Sequence, residues 1–437
     1  MGESRRARAR GLATYCVAIL ILGGWRAGVL AGELAYGAGY SLTYETNPTK
    51  VSTNPVADHN QEVIAGLFYN ESTANLKARL LLQAEARDYR RDSFPDDTYV
   101  YLDGTAVWSI APKTLDWTIA DRREETRVDL TVVDTPANRA ITNNFSTGPD
   151  LTLRFGRATA LVLGARYGQV DVEDQGKNWR TTGYARLDYL LSAASKVRLN
   201  YESSLIKAEP VGAVEAVRRE DLYVSYDSRI SPTDELTLEI GATRVAPDGE
   251  ETPSRRRIRL LYGRNFSPTS GIRLSLVDHV SDTYIDFITT DTLVIAPPSG
   301  NDVYRTRGGG ATYFLTSGRV RLELGGYTQG VEYETIGDDY DEDAGNLRFT
   351  WQQAVDFGVN ANATHTRRHF PDLGRTDVET DFGVGATYQL SRTVRLVASG
   401  GYERTVISPT EQRTSNTTLS LLLSISSDPF YVPQSRR

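Results

Sequence analysis

His279 has the neighbours that a hydrolytic site would need, and it is one of four histidines in the 437-residue chain. Asp278 precedes it and Ser281 follows two positions later, so the three residue types of a serine hydrolase triad occur together. Adjacent residues of a strand point to opposite faces, however, so Asp278 cannot orient His279 from the same side. The sequence therefore predicts no catalytic residues, and we expect that the protein is not an enzyme.

Two other patterns have the spacing of metal ligands. His365 and His369 are four residues apart, as zinc ligands on a helix are, but no glutamate accompanies them and the segment is strand-like. The acidic stretch 337–345 resembles the first half of a calcium loop, but Ala344 replaces the required glycine and Thr350 replaces the glutamate. We expect no metal site and no cofactor, and we interpret the acidic stretch as a solvated loop.

Charged residues recur with another regularity, at alternate positions of segments whose remaining positions are apolar. From Asp381 to Leu390, for example, every second residue is apolar or aromatic. Alternation with a period of two is typical of a strand with two unlike faces. The basic residues predicted on the polar faces are Lys77, Arg79, Arg154, Arg166, Arg186, Arg198, Arg257, Arg259, Arg273, Arg305, Arg307, Arg321, Arg348 and Arg395.

About twenty such segments, between 18 and 22, follow one another from Leu34 to Ser426, and every second connection is short. Among the predicted strands are Leu115–Arg127, Leu151–Phe155, Thr159–Val172, Gly271–Phe287 and Leu347–Gln352. Each segment has the ~10 residues with which a tilted strand crosses a bilayer. A sheet in lipid must close on itself to satisfy its backbone. The sequence thus predicts an all-β fold, a transmembrane antiparallel up-and-down β-barrel with an even number of strands. A soluble β-sandwich, propeller or solenoid is disfavoured, because the strands are long and no fixed repeat occurs.

The two ends of the chain differ from this pattern. Residues 1–31 combine arginines with a short apolar run, which predicts an N-terminal signal peptide. The barrel is expected over residues 32–428, and residues 429–437, with two prolines, are expected to form a short periplasmic tail. The only cysteine is Cys16, so the predicted mature chain has no disulfide. A formal net charge of −7 argues against a nucleic-acid partner.

Placing a charged side chain against hydrocarbon has a high free-energy cost, so the polar faces should line the lumen. Arginine outnumbers carboxylate in that set, and we expect the acidic residues to be concentrated in loops such as 337–345. This predicts a cationic lumen that selects anionic solutes. The alternative is a network of arginines and carboxylates that braces the inner wall and transports nothing.

The opening strand, from Tyr36 to Tyr44, runs into Glu45-Thr46-Asn47-Pro48, and the strand–turn pattern continues to Ser426. With the signal peptide, this resembles the outer-membrane β-barrel porin families of Gram-negative bacteria that accompany exopolysaccharide synthesis and export. Many such barrels end in an aromatic residue, whereas here Phe430 and Tyr431 are followed by six further residues.

The resemblance implies a porin-like channel in the outer membrane, a conduit for anionic solutes or exopolysaccharide. The expected partners are outer-membrane lipids and lipopolysaccharide, an anionic polysaccharide or small solutes as cargo, and periplasmic export proteins. The alternative function is a non-transporting surface barrel whose extracellular loops bind a partner or a glycan.

Overall fold

The computed structural model describes most of the predicted barrel, over residues 32–173, 176–208, 216–247, 254–282, 303–333 and 339–427. The predicted signal peptide (1–31) and the predicted tail (429–437) lie outside these ranges. Within them, no helix is long and apolar enough to cross a membrane.

The described residues form twenty strands and one short 3₁₀ helix, Pro136–Asn138. In chain order, β1 to β20 are Glu33–Glu45, Asp58–Ser72, Leu76–Tyr89, Asp97–Ala111, Leu115–Arg127, Arg139–Phe155, Thr159–Val172, Gly176–Leu190, Ser195–Ala208, Ala216–Arg229, Asp234–Pro247, Arg255–Ser267, Ser270–Asp282, Val303–Ser317, Val320–Tyr333, Tyr340–Gln352, Phe357–Phe370, Arg375–Gln389, Val394–Ser408 and Gln412–Ser426.

The strands close into a barrel. Every strand pairs in antiparallel orientation with its neighbours in sequence, and β1 also pairs with β20, from Gly37–Ser426 to Glu45–Thr418. Closure leaves no unpaired sheet edge, which is the condition for a sheet to exist in lipid. The prediction of an all-β, twenty-stranded antiparallel barrel is confirmed.

The connections differ in length at the two ends of the barrel. The nine that follow even-numbered strands have two to four residues, whereas those that follow odd-numbered strands have three to twenty. Transmembrane barrels have short periplasmic turns and longer extracellular loops. We therefore call the end with the short turns the periplasmic end and the other the extracellular end.

Strand alternation separates an apolar outer face from a polar inner face. On β20, Leu419, Leu421, Leu423 and Ile425 are exposed and point outward, and the residues between them point into the lumen. Large apolar side chains are stable on an exposed surface only where that surface meets lipid or another apolar partner. The outward positions thus form the membrane belt.

Three segments differ from the sequence prediction. β6 begins at Arg139 instead of Leu151, because the Gly148-Pro149 step interrupts its pairing with β7 but does not end the strand. β16 begins at Tyr340, inside the stretch that was interpreted as a loop. The predicted strand Gly271–Phe287 is described only to Asp282, and its remainder lies outside the described residues.

Candidate functional site

Most of the predicted lumen residues lie on the inward face. On β3, Lys77 and Arg79 share a face with Gln83 and Glu85, while Leu80 and Leu82 point outward. By the same ladder alternation the inward set contains Lys77, Arg79, Arg154, Arg166, Arg186, Arg198, Arg257, Arg259, Arg273, Arg321, Arg348 and Arg395.

Arg305 and Arg307 are exceptions, and their predicted lumen position was wrong. On β14 they alternate with Thr306 and Gly308. They share the face of Tyr313 and Leu315, and that face points outward. They occupy the extracellular end of the strand. A charged side chain there can face outward without entering the hydrocarbon, because it lies beyond the apolar belt.

The extracellular half of the lumen contains buried ion-pair networks. Arg87 on β3 donates hydrogen bonds to Glu62 at 2.8 Å and to Glu85 at 2.9 Å, and its Nη1 lies 3.6 Å from Glu125 Oε2. Tyr101 accepts a further hydrogen bond from Arg87 at 3.3 Å. All these side chains are buried. Burying a charge is tolerable only when partners satisfy it, so this cluster braces β2, β3, β4 and β5.

A second network lies on the opposite wall. Arg368 on β17 donates a hydrogen bond through Nε to Glu342 of β16 at 2.8 Å, and Tyr327 of β15 donates one to the same carboxylate at 2.6 Å. Nearby, Arg375 pairs with Asp377 through two hydrogen bonds of 2.7 Å. The sequence did not single out this network, because Glu342 belongs to the stretch that was interpreted as a solvated loop.

One hairpin leaves the barrel wall and enters the lumen. The ladder between β4 and β5 ends at the pair Leu102–Arg123, although β5 continues to Arg127. Alternation along β5 would place Glu125 on the outer face with Trp117 and Ile119, yet Glu125 contacts the inward Arg87. The end of β5 and the start of β6 have therefore turned inward. We call residues 124–142 the inner hairpin.

The inner hairpin reaches strands that are far from its own in the barrel. Leu130 packs against Tyr304, Val331, Tyr340 and Phe370, which belong to β14, β15, β16 and β17. Arg127 Nη1 lies 3.5 Å from Glu379 on β18. The hairpin thus extends from β5 and β6 across to the opposite wall, and it narrows the extracellular half of the lumen.

Hydrogen bonds within its turn hold the inner hairpin in shape. The Asn138 side chain donates to the Asp129 carbonyl at 2.7 Å, and its oxygen accepts from the Asp129 amide at 3.1 Å. Arg139 donates to both carboxylate oxygens of Asp134, at 2.7 Å and 2.9 Å. Burial alone would raise the pKa of Asp134, but the hydrogen bonds and charge of Arg139 outweigh it and lower the pKa below the ordinary value.

The periplasmic half of the lumen differs in that only some of its cations are paired. Arg186, Arg198 and Arg321 each form an ion pair with a carboxylate, whereas a second group of the described cations does not. Among the described residues, no carboxylate pairs with six inward cations near the short turns. These six, which we call the vestibule cations, are Lys77, Arg79, Arg154, Lys196, Arg273 and Arg348. Among the described residues, two inward carboxylates near the same turns, Glu33 and Asp116, lack a cation, so positive charge is in excess among the unpaired groups there.

The lumen as a whole is less cationic than the sequence indicated. Acidic residues also point inward, among them Glu62, Glu342, Asp377 and Glu379. The expectation that the acidic residues would be concentrated in loops is therefore wrong. The distinction within the lumen is one of pairing. Carboxylates neutralise arginines in the extracellular half, whereas the vestibule cations remain available to a solute.

The residues considered for chemistry do not assemble. His279 points into the lumen and Asp278 points outward, as their adjacency in a strand requires. His365 and His369 point outward and contact threonines, with His365 Nδ1 2.9 Å from Thr380 Oγ1. Within the described ranges, no three His, Cys, Asp or Glu residues are placed to hold a metal ion.

No protein-family model and no curated protein sequence matches the chain. Solved structures do match. The ferric enterobactin receptor PfeA of Pseudomonas aeruginosa, in complex with BCV-L6, is 9% identical, with a TM-score of 0.50 over 91% of this chain and 82% of that one.

Two other matches are smaller proteins. OccK7 (OpdD) of P. aeruginosa is 14% identical, with a TM-score of 0.39 over 90% of this chain and 98% of that one. A loop-deletion variant of OmpT, an outer membrane protein of Vibrio cholerae, is 11% identical, with a TM-score of 0.35 over 91% and 99%.

Identities this low bear on the fold alone. The closed antiparallel sheet, the outward apolar belt and the polar lumen agree with that likeness and with the physics of a chain in lipid. The chain therefore has the fold of a transmembrane β-barrel, the fold that these outer-membrane proteins share.

Proposed function

We propose that the barrel is a porin-like conduit that collects anionic solutes, or segments of an acidic exopolysaccharide, at its periplasmic end. The observation that carries this proposal is that no carboxylate among the described residues pairs with the vestibule cations, all of which are exposed except the half-buried Lys196. Fixed cations in a cleft with low-dielectric walls raise the local concentration of anions and disfavour cations. The paired arginines of the extracellular half contribute little to selection, because their charge is already neutralised.

The arrangement of the vestibule cations also suits an extended ligand. They come from β3, β6, β9, β13 and β16, so they surround the lumen instead of forming one pocket. A polymer with regularly spaced carboxylates could contact several of them together, and the resulting avidity would exceed that of any single ion pair. Periplasmic export proteins that deliver such a polymer would have to dock at the short turns.

Ion selectivity tests the proposal. The refolded protein is inserted into planar bilayers under a KCl gradient, and the reversal potential is compared for the native chain and the variant Arg79→Gln/Arg154→Gln/Arg348→Gln. We expect anion preference in the native chain. Removing three exposed positive charges should lower the chloride-to-potassium permeability ratio about two- to threefold.

The matched control removes cations from the same end of the barrel but outside the lumen. Arg157 and Arg392 lie in periplasmic turns, so the variant Arg157→Gln/Arg392→Gln should keep the native selectivity. A native channel without anion preference, or a control that changes as much as the vestibule variant, would refute electrostatic selection by these residues.

The inner hairpin favours a second candidate, a surface barrel that transports nothing and binds a partner or a glycan through its loops. Its contacts with the opposite wall fill part of the lumen. A folded, heat-modifiable barrel that produces no conductance steps would support this second candidate and reject the conduit.

A further inference from the structure

Charged residues cluster on the outward face of β12 to β15, where the rest of the barrel surface below them is apolar. Arg305 on β14 donates hydrogen bonds to Asp278 of β13 at 2.9 Å and 3.1 Å. Arg256 of β12 contacts the same carboxylate, and Arg307 contacts Glu332 of β15. Ladder alternation places all five on the outer face.

The cluster lies at the extracellular border of the apolar belt. On β13, Leu274 and Leu276 are the outward residues immediately below Asp278. On β12, Ile258 is the outward residue immediately below Arg256. Charges at this height are therefore level with lipid headgroups of the outer leaflet rather than with acyl chains.

The two most exposed arginines of the cluster, Arg256 and Arg307, are placed to bind an anion. The Arg256 side chain is 63% exposed and the Arg307 side chain 45%, whereas Asp278 between them is 8% exposed. Arg256 contacts Asp278 through Nε, and Arg307 contacts Glu332 through one Nη. Each guanidinium has five N–H donors, and among the described residues most of those on Arg256 and Arg307 have no acceptor, so they can bind an outside one. Three arginines against two carboxylates leave one positive charge within these five residues, and a further carboxylate on this face, Asp341 of β16, lies beside Gly330.

Small residues form the surface directly below Arg307. Gly309 and Ala311 on β14 and Gly326 on β15 point outward at positions next to Leu274 and Leu276. The missing side chains leave a shallow hollow bounded by two exposed leucines. An acyl chain could lie in this hollow while its headgroup meets the arginines above.

We propose that this outward cluster is a binding site for the phosphorylated headgroup of an outer-leaflet glycolipid. Arg256 and Arg307 would donate hydrogen bonds to phosphate oxygens, for which the planar guanidinium has matching geometry. Arg305 and Asp278 act as positioning residues, because the buried carboxylate fixes Arg256 and Arg305 side by side. The site is independent of whether the lumen conducts.

Lipid binding to the refolded full chain in detergent micelles tests the proposal, with native mass spectrometry as the measurement and bisphosphorylated lipid A as the probe. We expect Arg256→Gln/Arg307→Gln to weaken lipid A binding about tenfold, since two charge-assisted contacts are lost. Lipid A without phosphates should bind the native chain no more tightly than it binds the variant.

The control removes two cations at a similar height on the other side of the barrel. Arg367 on β17 and Arg404 on β19 point outward and are exposed, so Arg367→Gln/Arg404→Gln should leave lipid A binding unchanged. Heat-modifiable migration on a gel establishes that each variant is folded, and Arg307→Gln alone provides the test if the double variant does not fold.

Three outcomes would overturn the site. Equal lipid A affinity in the native chain and the Arg256→Gln/Arg307→Gln variant would show that the two arginines do not contribute to binding. Equal binding of phosphorylated and dephosphorylated lipid A would show that the site does not recognise the phosphate. Competition by inorganic phosphate with no added affinity from the lipid portion would reassign the cluster to a free anion.

Discussion

Arg79 and Arg87 lie on the same inward face of β3, eight residues apart, yet their surroundings differ. Arg87 is buried and its guanidinium contacts Glu62, Glu85 and Glu125. Arg79 is exposed, and no carboxylate among the described residues pairs with it. The two arginines therefore share residue type, strand and face. Their different roles depend on the groups that neighbouring strands and the inner hairpin place near each end of β3.

The two halves of the lumen differ in the same way as these two arginines. In the extracellular half the inner hairpin excludes water, so a charge there must have a partner and becomes a structural element. In the periplasmic half most of the vestibule cations are exposed to water, so they need no partner within the protein. A solute can exploit only the second kind of charge.

The largest expected effect is on stability. Arg87→Ala leaves Glu62 and Glu85 buried without a cation, which should lower the free energy of unfolding by about 3–5 kcal/mol. Arg79→Ala removes an exposed, unpaired cation and should change it by no more than about 0.5 kcal/mol. Urea titration of the refolded proteins in micelles, followed by tryptophan fluorescence, measures both values.

The ratio of the two effects matters more than either value alone. Similar losses in both variants would mean that Arg79 is also part of a brace, and the distinction between the two halves would fail. A small loss in Arg87→Ala would mean that water reaches the extracellular half and solvates the carboxylates.

A smaller, several-fold effect is expected on conductance when the inner hairpin is shortened. Replacing residues 129–137 by an Asn-Gly turn removes Leu130 and its contacts with the opposite wall, while the ladder between β5 and β6 remains. Single-channel conductance should rise, because pore size at the narrowest point limits the current.

A shortened loop elsewhere is the control for that deletion. Removing residues 52–55 from the connection between β1 and β2 shortens another extracellular loop at exposed positions. This variant should keep the native conductance. An inner-hairpin variant with native conductance would place the narrowest point of the pore somewhere else.

The strands were largely predictable because their signal is local. Alternation and short turns specify each hairpin, and β5 and β7 were predicted with the bounds that the structure has. The start of β6 was missed because Gly148 and Pro149 interrupt the pattern. The start of β16 was missed because Asp341, Glu342 and Asp343 are typical of a loop, whereas Glu342 is satisfied by Arg368, 26 residues later.

The site was less predictable, because its decisive contacts are distant in sequence. The ion pair that links the inner hairpin to β18 joins Arg127 and Glu379, 252 residues apart. No local pattern reports that β5 leaves the wall after Arg123, since Leu115–Arg127 remains a regular strand. The face of Arg305 and Arg307 was assigned from their charge, which fails at the extracellular end, where charge is compatible with either face.

The smallest expected effect is the response of the inner hairpin to acid. Because the pKa of Asp134 is lowered from its ordinary value of 3.8, its ion pair with Arg139 is fully present above that pH and is lost as pH falls through the lowered value. Conductance should therefore rise by up to about twofold between roughly pH 5 and pH 2, as the hairpin loosens. Asp134→Asn should have the raised conductance already at neutral pH and lack this response. If Asp134→Asn titrated like the native chain, other carboxylates would control the acid response, and the hairpin would be held chiefly by the packing of Leu130.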